Sequence, residues 1–514
     1  GARQHFMLGV VLHFLWNQAV LTAMVSSEKG PSDVCVDALT LRDNEPVANG
    51  CSFSVAGQSA NSRLVCCDAR PSWYFRALSV DGVVVSVFRS CACNERAAIR
   101  SRVTCQEASE SEFWLLWWPK ASKMPLVVEE DTEVWMHHLP NRARGLIAAA
   151  PTIAAVGEAD RPMQAFVKRE LAVVSVDGQP LKQDPVPRII QGRTLPVKVS
   201  TGPWTWRFGK ALRTTYPVTG NYVYGGGCSS EELGAVIDRV ICQLKDDGGA
   251  WVAFDCRRFD RTVGPTPMKM LHKEYKRCGA PADCLSALAG RDGVRRGRTR
   301  NGISYSRIAQ VSSGDGDTTA GNSRIHLVLL EACPSVQAAI VMGDDAVVWT
   351  SDAGEVAAAY RQGGFEPKVS ADLDFCSSLF WPSDQGTTLG PKIGRLISKT
   401  FHCANNMQGS YLCWLRGVCL GLFTSCSHVP ILRVLIPHLL SLCGNGPVLR
   451  SDDFQYKTRS TQKRYVTEST WDYMFDRYQL SESDVISMEE EIKQISLGSV
   501  LVGQHWVDIV RRDV

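Results

Sequence analysis

"AAIVMGDDAVVWT", residues 338–350, sets two adjacent aspartates, Asp344 and Asp345, between two apolar runs rich in β-branched residues. Such runs read as strands, and Gly-Asp suits a tight turn, so the stretch predicts a β-hairpin with carboxylates at its tip. Turn chemistry alone accounts for the Gly and the Asp. Two neighbouring carboxylates repel each other, however, and a site that keeps both ionised usually has divalent cations to neutralise them. A third carboxylate on another apolar strand is then expected.

"WVAFDCRRFDRTV" (251–263) provides it: an apolar strand ending in Asp255, with Asp260 five residues on. With the two strands side by side, Asp255 faces the Asp344–Asp345 turn. The three carboxylates could hold two Mg²⁺ (or Mn²⁺) ions about 3.5–4 Å apart. Between these blocks, "SSGDGDTTAGNSRIHLVLLEAC" (312–333) opens as a Gly-rich loop and runs into a helix. Ser313, Gly314, Thr318 and Asn322 form an SGxxxTxxxN pattern, in which Gly allows close backbone approach and the polar side chains lie near a helix N-terminus. An N-capping turn explains Ser and Asp. It does not explain Asn322 inside the helix.

In this order the blocks resemble motifs A, B and C of viral RNA-directed RNA polymerases, and the tombusvirus family in particular. Two departures stand out: Gly316 and Asp317 occupy the place of the family's usual Met-Asn, and Arg261 that of its usual Gln. "AFVKRE" (165–170) followed by "KQDPVPRIIQGR" (182–193) resembles motif F, which implies that Lys168, Arg188 and Arg193 meet the incoming triphosphate. Arginine suits that role because its planar fork pairs two oxygens. "GGFEPK" (363–368) resembles motif D and implies Lys368 as general acid for pyrophosphate. "DFCSSLF" (374–380) resembles motif E and implies a primer grip at Phe375, Cys376 and Ser377. "GRLISKT" (394–400) resembles the stretch entering the thumb. Asp260 and Asn322 are the residues expected to read the ribose.

The resemblance covers roughly residues 135–405. It implies an α+β right-hand polymerase with an antiparallel palm sheet. The expected divisions are an N-terminal extension (1–130), fingers (131–250, with an insertion at 267–310), palm (251–266 and 311–385) and thumb (386–514). The implied partners are NTPs, an RNA template and product, and other viral replication proteins. The implied setting is the host cytoplasm, in a membrane-associated replication complex. A reverse transcriptase shares such a palm, but its turn carries an aromatic residue where this chain has Met342-Gly343, and it lacks an Asn like Asn322. A non-enzymatic RNA-binding protein with a calcium site is the other alternative, against which the Lys168/Arg188 block argues.

Bulk properties narrow the class less. With 45% hydrophobic and 21% charged residues the chain is globular, and a net charge of +3 leaves any nucleic-acid argument to local charge. Nine Lys/Arg against three acids between Lys273 and Arg307 read as a solvated basic surface or as a wall facing phosphates. "RTRNGISYS" within that segment predicts a hairpin. Nineteen cysteines, among them Cys413, Cys419 and Cys443 in apolar surroundings, read as buried, reduced thiols. Cys91, Cys93 and Cys105 lack the spacing of a zinc site. Residues 6–26 read as a core helix or, alternatively, as a membrane-associating segment. A first residue of Gly1 reads as a processed product or a fragment. Residues 411–444, apolar but broken by Pro430 and Pro437, predict packed helices.

Overall fold

The computed structural model describes residues 52–55, 75–88, 92–103, 111–139, 145, 147, 156–157, 162–168, 170–180, 187–256, 258–291, 293–309, 311–403, 411–449 and 462–514. Residues 6–26, Cys91, Cys105 and the side chain of Cys93 lie outside them. No helix of the described residues is long and apolar enough to cross a membrane.

A mixed five-stranded sheet forms the centre of this α+β fold. Its order is Pro367–Ser370, Ala250–Cys256, Asp345–Thr350, Val336–Met342, Tyr222–Tyr224. The first four strands are antiparallel to their neighbours, and Tyr222–Tyr224 joins in parallel. Side chains alternate between two cores, as the two-residue period of a strand requires. Phe254, Cys256, Val341, Ala346 and Val348 enter one core, shared with the helix Thr318–Glu331. Trp251, Ala253, Ile340, Val347 and Trp349 enter the other, shared with the helix Ser230–Leu244 and with Phe375 and Phe380. Burial on both faces explains why these strands read as near-continuous apolar runs.

A second five-stranded sheet flanks the centre, in the order Ser52–Val55, Ile303–Ile308, Val294–Thr299, Met163–Val167, Ile189–Gly192. Its second and third strands form the hairpin expected at Asn301-Gly302, where Gly302 takes φ +87°. A bridge from Gly192 to Gly314 continues the sheet edge into the loop that precedes the helix Thr318–Glu331. That loop needs glycine: a Cβ on Gly314 would sit 2.3 Å from the Gln191 carbonyl oxygen.

The C-terminal helices, including Tyr411–Leu422, Leu432–Leu442 and Gln504–Asp513, share a third core. Leu78, Val80, Val173 and Val176, far upstream in sequence, enter the same core. Phe113, Trp114, Trp118 and Met124 enter the central one. The described parts of residues 75–128 are thus built into the body of the molecule.

The basic segment divides by face. Along Val294–Thr299, Arg295 is buried while Arg296 and Arg298 are exposed. The Arg307 Nε donates to the Ala309 carbonyl at 2.9 Å. Arg291 is fully buried and donates from Nη1 to Asp317 Oδ1 (2.7 Å) and from Nη2 to Asp317 Oδ2 (2.8 Å). Arg291 and Arg295 both reach Asp315 Oδ2 at 3.3 Å, and the Tyr275 hydroxyl donates to Asp317 at 2.7 Å. Burial opposes ionisation of Asp317, but the adjacent Arg291 outweighs it and holds the carboxyl down at about 2. The aspartate found where the family usually has asparagine therefore carries its own counter-ion. Part of the expected phosphate-facing wall is instead internal support for the Gly314 loop.

Removing one member of a buried ion pair typically costs about 3–5 kcal/mol, because the other is left buried without a partner. Arg291→Leu is expected to lower stability by about that much. Urea denaturation followed by tryptophan fluorescence measures it, and an unchanged midpoint would show that the network contributes little.

Candidate active site

The register of the central sheet sets the carboxylates. Asp255 pairs directly with Asp345 on one side and with Lys368 on the other. Met342 pairs with Asp345, which leaves Gly343 and Asp344 as a two-residue turn with Gly343 at φ +69°. Asp255 and Asp345 occupy the alternation phase of the Trp251 and Val347 face, the side covered by the Phe375 hairpin. Burial, then Asp344 and Asp255 beside it, pushes the Asp345 carboxyl up to about 8. Asp255 is also raised, by burial and Asp344, with Lys368 opposing.

Among the described residues no three His, Cys, Asp or Glu side chains stand close enough to hold an ion as they are placed. The donor set nevertheless fits a divalent cation. Three carboxylates lie on neighbouring strands at one sheet end, and the proton retained by Asp345 is what a cation would displace.

The turn is held from behind by the helix Thr318–Glu331. Gly343 N–H donates to Ser323 Oγ at 2.7 Å, and Ser323 in turn donates to the Thr319 carbonyl at 2.6 Å. His326 Nδ1 lies 3.3 Å from the Gly343 carbonyl oxygen, and its Nε2 meets the Tyr360 hydroxyl. Burial lowers the His326 pKa to about 4, so the ring is neutral. A carbonyl only accepts, so Nδ1 carries the proton and Nε2 accepts from Tyr360. Both backbone groups of Gly343 are thereby fixed.

The same helix reaches the Asp255 strand's continuation. Asn322 Nδ2 donates to Asp260 Oδ1 at 2.6 Å, while the buried Asn322 Oδ1 has no hydrogen-bond partner among the described residues. Burial, opposed by Asn322, raises Asp260 to about 6. The other polar groups of the loop turn inward. Ser313 Oγ donates to the Ile189 carbonyl (2.9 Å), and Thr318 Oγ1 lies 2.7 Å from the Ser312 carbonyl oxygen. Ser313, Gly314 and Thr318 shape the loop with the groups expected to touch nucleotide.

Arg188 donates from Nε to Glu170 Oε1 at 2.7 Å, and Lys168 lies 3.7 Å from Glu170. The Arg188 pKa is raised chiefly by Glu170, with Asp344 and Asp260 adding to it, so its charge faces the carboxylates. Arg193 departs from expectation. Its side chain is 5% exposed, its Nε lies 3.5 Å from Asp315 Oδ1, and its Nη2 donates to the Ala287 carbonyl. It supports the Gly314 loop and does not face the cleft.

Phe375 pairs with Ser378, so Cys376 and Ser377 form a two-residue turn with φ of 53° and 61°. Two non-glycine residues in the left-handed region carry strain, of order 1–3 kcal/mol each. The turn brings the Cys376 thiol into a hydrogen bond with Asp345. Sequence reasoning missed two further cations on the helix Ile393–Lys399. Burial, with Arg395 and Arg188 nearby, lowers Lys399 to about 8. Burial also lowers Arg395, which lies in the field of Asp374. Their i, i+4 spacing was the available signal. Ser323 and His326 gave none, because their role depends on a turn about twenty residues away.

Ser323→Ala removes the acceptor that fixes Gly343 N–H. Displacements near 1 Å in a catalytic group can cost about 10²-fold. The variant is expected to lose about 10- to 100-fold in maximal rate of nucleotide incorporation with little change in apparent KM for nucleotide. Single-turnover incorporation measures both, and a rate loss with a matching rise in KM would assign Ser323 to substrate binding instead.

The family model described as viral RNA dependent RNA polymerase matches residues 149–472, well over half of the chain. No curated protein matches it. The matched span contains the carboxylate strands, the Gly314 loop with its helix, and the cations Lys168 and Arg188. The chain belongs to this viral RNA-dependent RNA polymerase family, found in tombus-like positive-strand RNA viruses, and its substrates are NTPs and an RNA template.

Proposed function

We propose that this polymerase is a right hand whose palm (251–266 and 311–385) supplies the four antiparallel strands of the central sheet. Four strands of the flanking sheet, with their neighbours, belong to the fingers (131–250 and 267–310), and the C-terminal helices (386–514) are the thumb. The observation that carries the site is the register that sets Asp255 opposite Asp345 at the clamped Gly343–Asp344 turn. Asp255, Asp344 and Asp345 would hold two divalent cations, Mg²⁺ or Mn²⁺. When bound, these supply charge neutralisation and a more acidic 3′-hydroxyl.

The RNA 3′-hydroxyl loses its proton to solvent as its oxygen bonds to the α-phosphorus of the NTP, the α–β phosphoanhydride bond breaks, and pyrophosphate leaves. Arg188 and Lys168 orient the triphosphate, and Lys368 gives a proton to the departing pyrophosphate. Asp260 and Asn322 read the ribose, the Asn322 Oδ1 without a partner being a ready acceptor for the 2′-hydroxyl. The Phe375–Ser377 turn grips the primer strand. Residues 6–26 associate the enzyme with membranes in the host cytoplasm, alongside other viral replication proteins.

Asp344→Asn is expected to abolish extension of an RNA primer on an RNA template while leaving RNA binding intact. At limiting metal, the wild-type rate should climb with pH and level near 8. Asp345 is a carboxyl with a raised pKa, so it keeps its proton below about 8, and that proton competes with the cation. Normal extension by the folded variant, or a rate flat between pH 6 and 8 at limiting metal, would sink the metal assignment.

Asn322→Ala is expected to lose more activity with ATP than with dATP, because a site built to bond a hydroxyl discriminates against its absence. The readout is the ratio of catalytic efficiencies for the two on one RNA template. A ratio within about twofold of wild type would reduce the Asn322–Asp260 bond to a lock between helix and strand.

A further inference from the structure

We propose that the exposed face of the flanking sheet is a platform for single-stranded RNA, with Phe166 stacking on a base and Arg296 and Arg298 pairing with phosphates. This rests on the chain's being an RNA polymerase and adds the surface that leads the template strand into the site.

Register puts these residues on one face. In the parallel pair, Arg298 lies beside Gln164. In the antiparallel pairs, Arg296 lies opposite Ser306, Gln164 opposite Gly192 and Phe166 opposite Ile190. Burial agrees with the two-residue period. Arg296 and Arg298 are exposed and alternate with buried Arg295 and Gly297. Gln164 and Phe166 are exposed and alternate with buried Met163, Ala165 and Val167. Gly192 leaves room beside the ring, since a Cβ there would stand 3.9 Å from Phe166 Cε1.

The two faces use arginine differently. Arg295 and Arg307, on the inner face, are committed to Asp315 and to the Ala309 carbonyl. Arg296 and Arg298 have no ion-pair partner among the described residues. Phe166 keeps 44% of its surface exposed, with Arg298 its diagonal neighbour across the parallel pair and Arg296 one strand repeat farther along. One exposed aromatic is ordinary. An aromatic followed along one sheet face by two such guanidinium groups is the combination that binds single strands, because any base offers a π-face and its phosphates offer charge. Arg296 and Arg298 are about 7 Å apart along the strand, comparable to successive phosphates of an extended chain. A duplex, its bases already stacked, would leave Phe166 without a partner.

Position fixes the direction. The edge strand Ile189–Gly192 carries Arg188 just before it and bridges to Gly314 beside the Asn322 helix. The platform therefore begins at the catalytic cleft and extends outward across Phe166 to Arg298 and Arg296. A strand lying on it would deliver its end to the site.

The test uses the full-length protein and fluorescein-labelled primer–template RNAs whose template 5′ overhang is two or ten nucleotides, with binding followed by anisotropy across a salt series. In the wild type the longer overhang should bind more tightly. Phe166→Ala is expected to shrink that gain by about 5- to 150-fold, the range measured for one base–aromatic stack, and Phe166→Trp to keep it. Arg296→Ala/Arg298→Ala is expected to reduce the salt slope for the long overhang by about 1.4, at about 0.7 per phosphate contact on single strands. An undiminished gain in Phe166→Ala, or an unchanged slope in the arginine double variant, would overturn the platform. So would equal losses on both overhangs, which would mark a damaged sheet. Failure of the wild type to extend either primer would instead count against the polymerase reading.

Discussion

Everything at the catalytic end depends on fixing one glycine. Gly343 takes a left-handed backbone conformation and sits between a buried strand and two aspartates, so its N–H and carbonyl have no sheet partner. Unsatisfied, each would cost free energy and let the carboxylates wander. Ser323 and His326, one turn apart on a helix buried from Ala320 to Leu330, satisfy one each. The helix is itself anchored. Arg324 donates from Nε to Glu274 at 2.8 Å and from Nη2 to the Ser122 carbonyl at 2.8 Å. Its N-terminal loop rests on the Arg291–Asp317 pair. The turn is thus stiff because a chain of buried polar contacts stands behind it.

Such polar burial is expensive, and the sequence meets the cost by matching charges. Arg193, Arg291 and Arg295 surround Asp315 and Asp317. At the far end of the chain, Asp513 receives Gly394 N–H, Arg477 and Tyr478 at 2.7, 2.9 and 2.8 Å. In both places an aspartate gathers elements that are distant in sequence. Packed apolar residues of similar volume could be as stable. What the ionic version adds is position: only one placement of the Gly314 loop satisfies three guanidinium groups at once.

The central strands and the GDD hairpin were legible because burial on both faces leaves a long β-branched run, and a carboxylate at its end is conspicuous. The Asn301-Gly302 hairpin was legible from its turn chemistry. What stayed hidden depended on distance. A serine and a histidine inside a helix look like any others until a turn twenty residues on is folded against them. Arg193 and Arg188 read alike in sequence, since nothing local says that Asp315 lies beside one and Glu170 and the cleft beside the other. The basic segment between Lys273 and Arg307 could not be resolved into support and surface without the strand phase. Once Val294–Thr299 is known to be a strand, alternate arginines must point to opposite sides.

The carboxylate cleft holds its charges under mutual stress. Asp345 is pushed up to about 8 by burial and its carboxylate neighbours, while Lys399 is pushed down to about 8 by burial and neighbouring guanidinium groups. Groups of each sign are crowded with their own kind, which is the arrangement that perturbs ionisation at functional sites. A nucleoside triphosphate with its counter-cations carries both remedies, phosphate oxygens for the basic side and divalent charge for the acidic side. Like charges left close together disfavour the free enzyme, and the same closeness favours the loaded one. The hydrogen bonds to Gly343 matter most for that reason: without a rigid turn, the carboxylates would relax apart and their mutual stress would be lost.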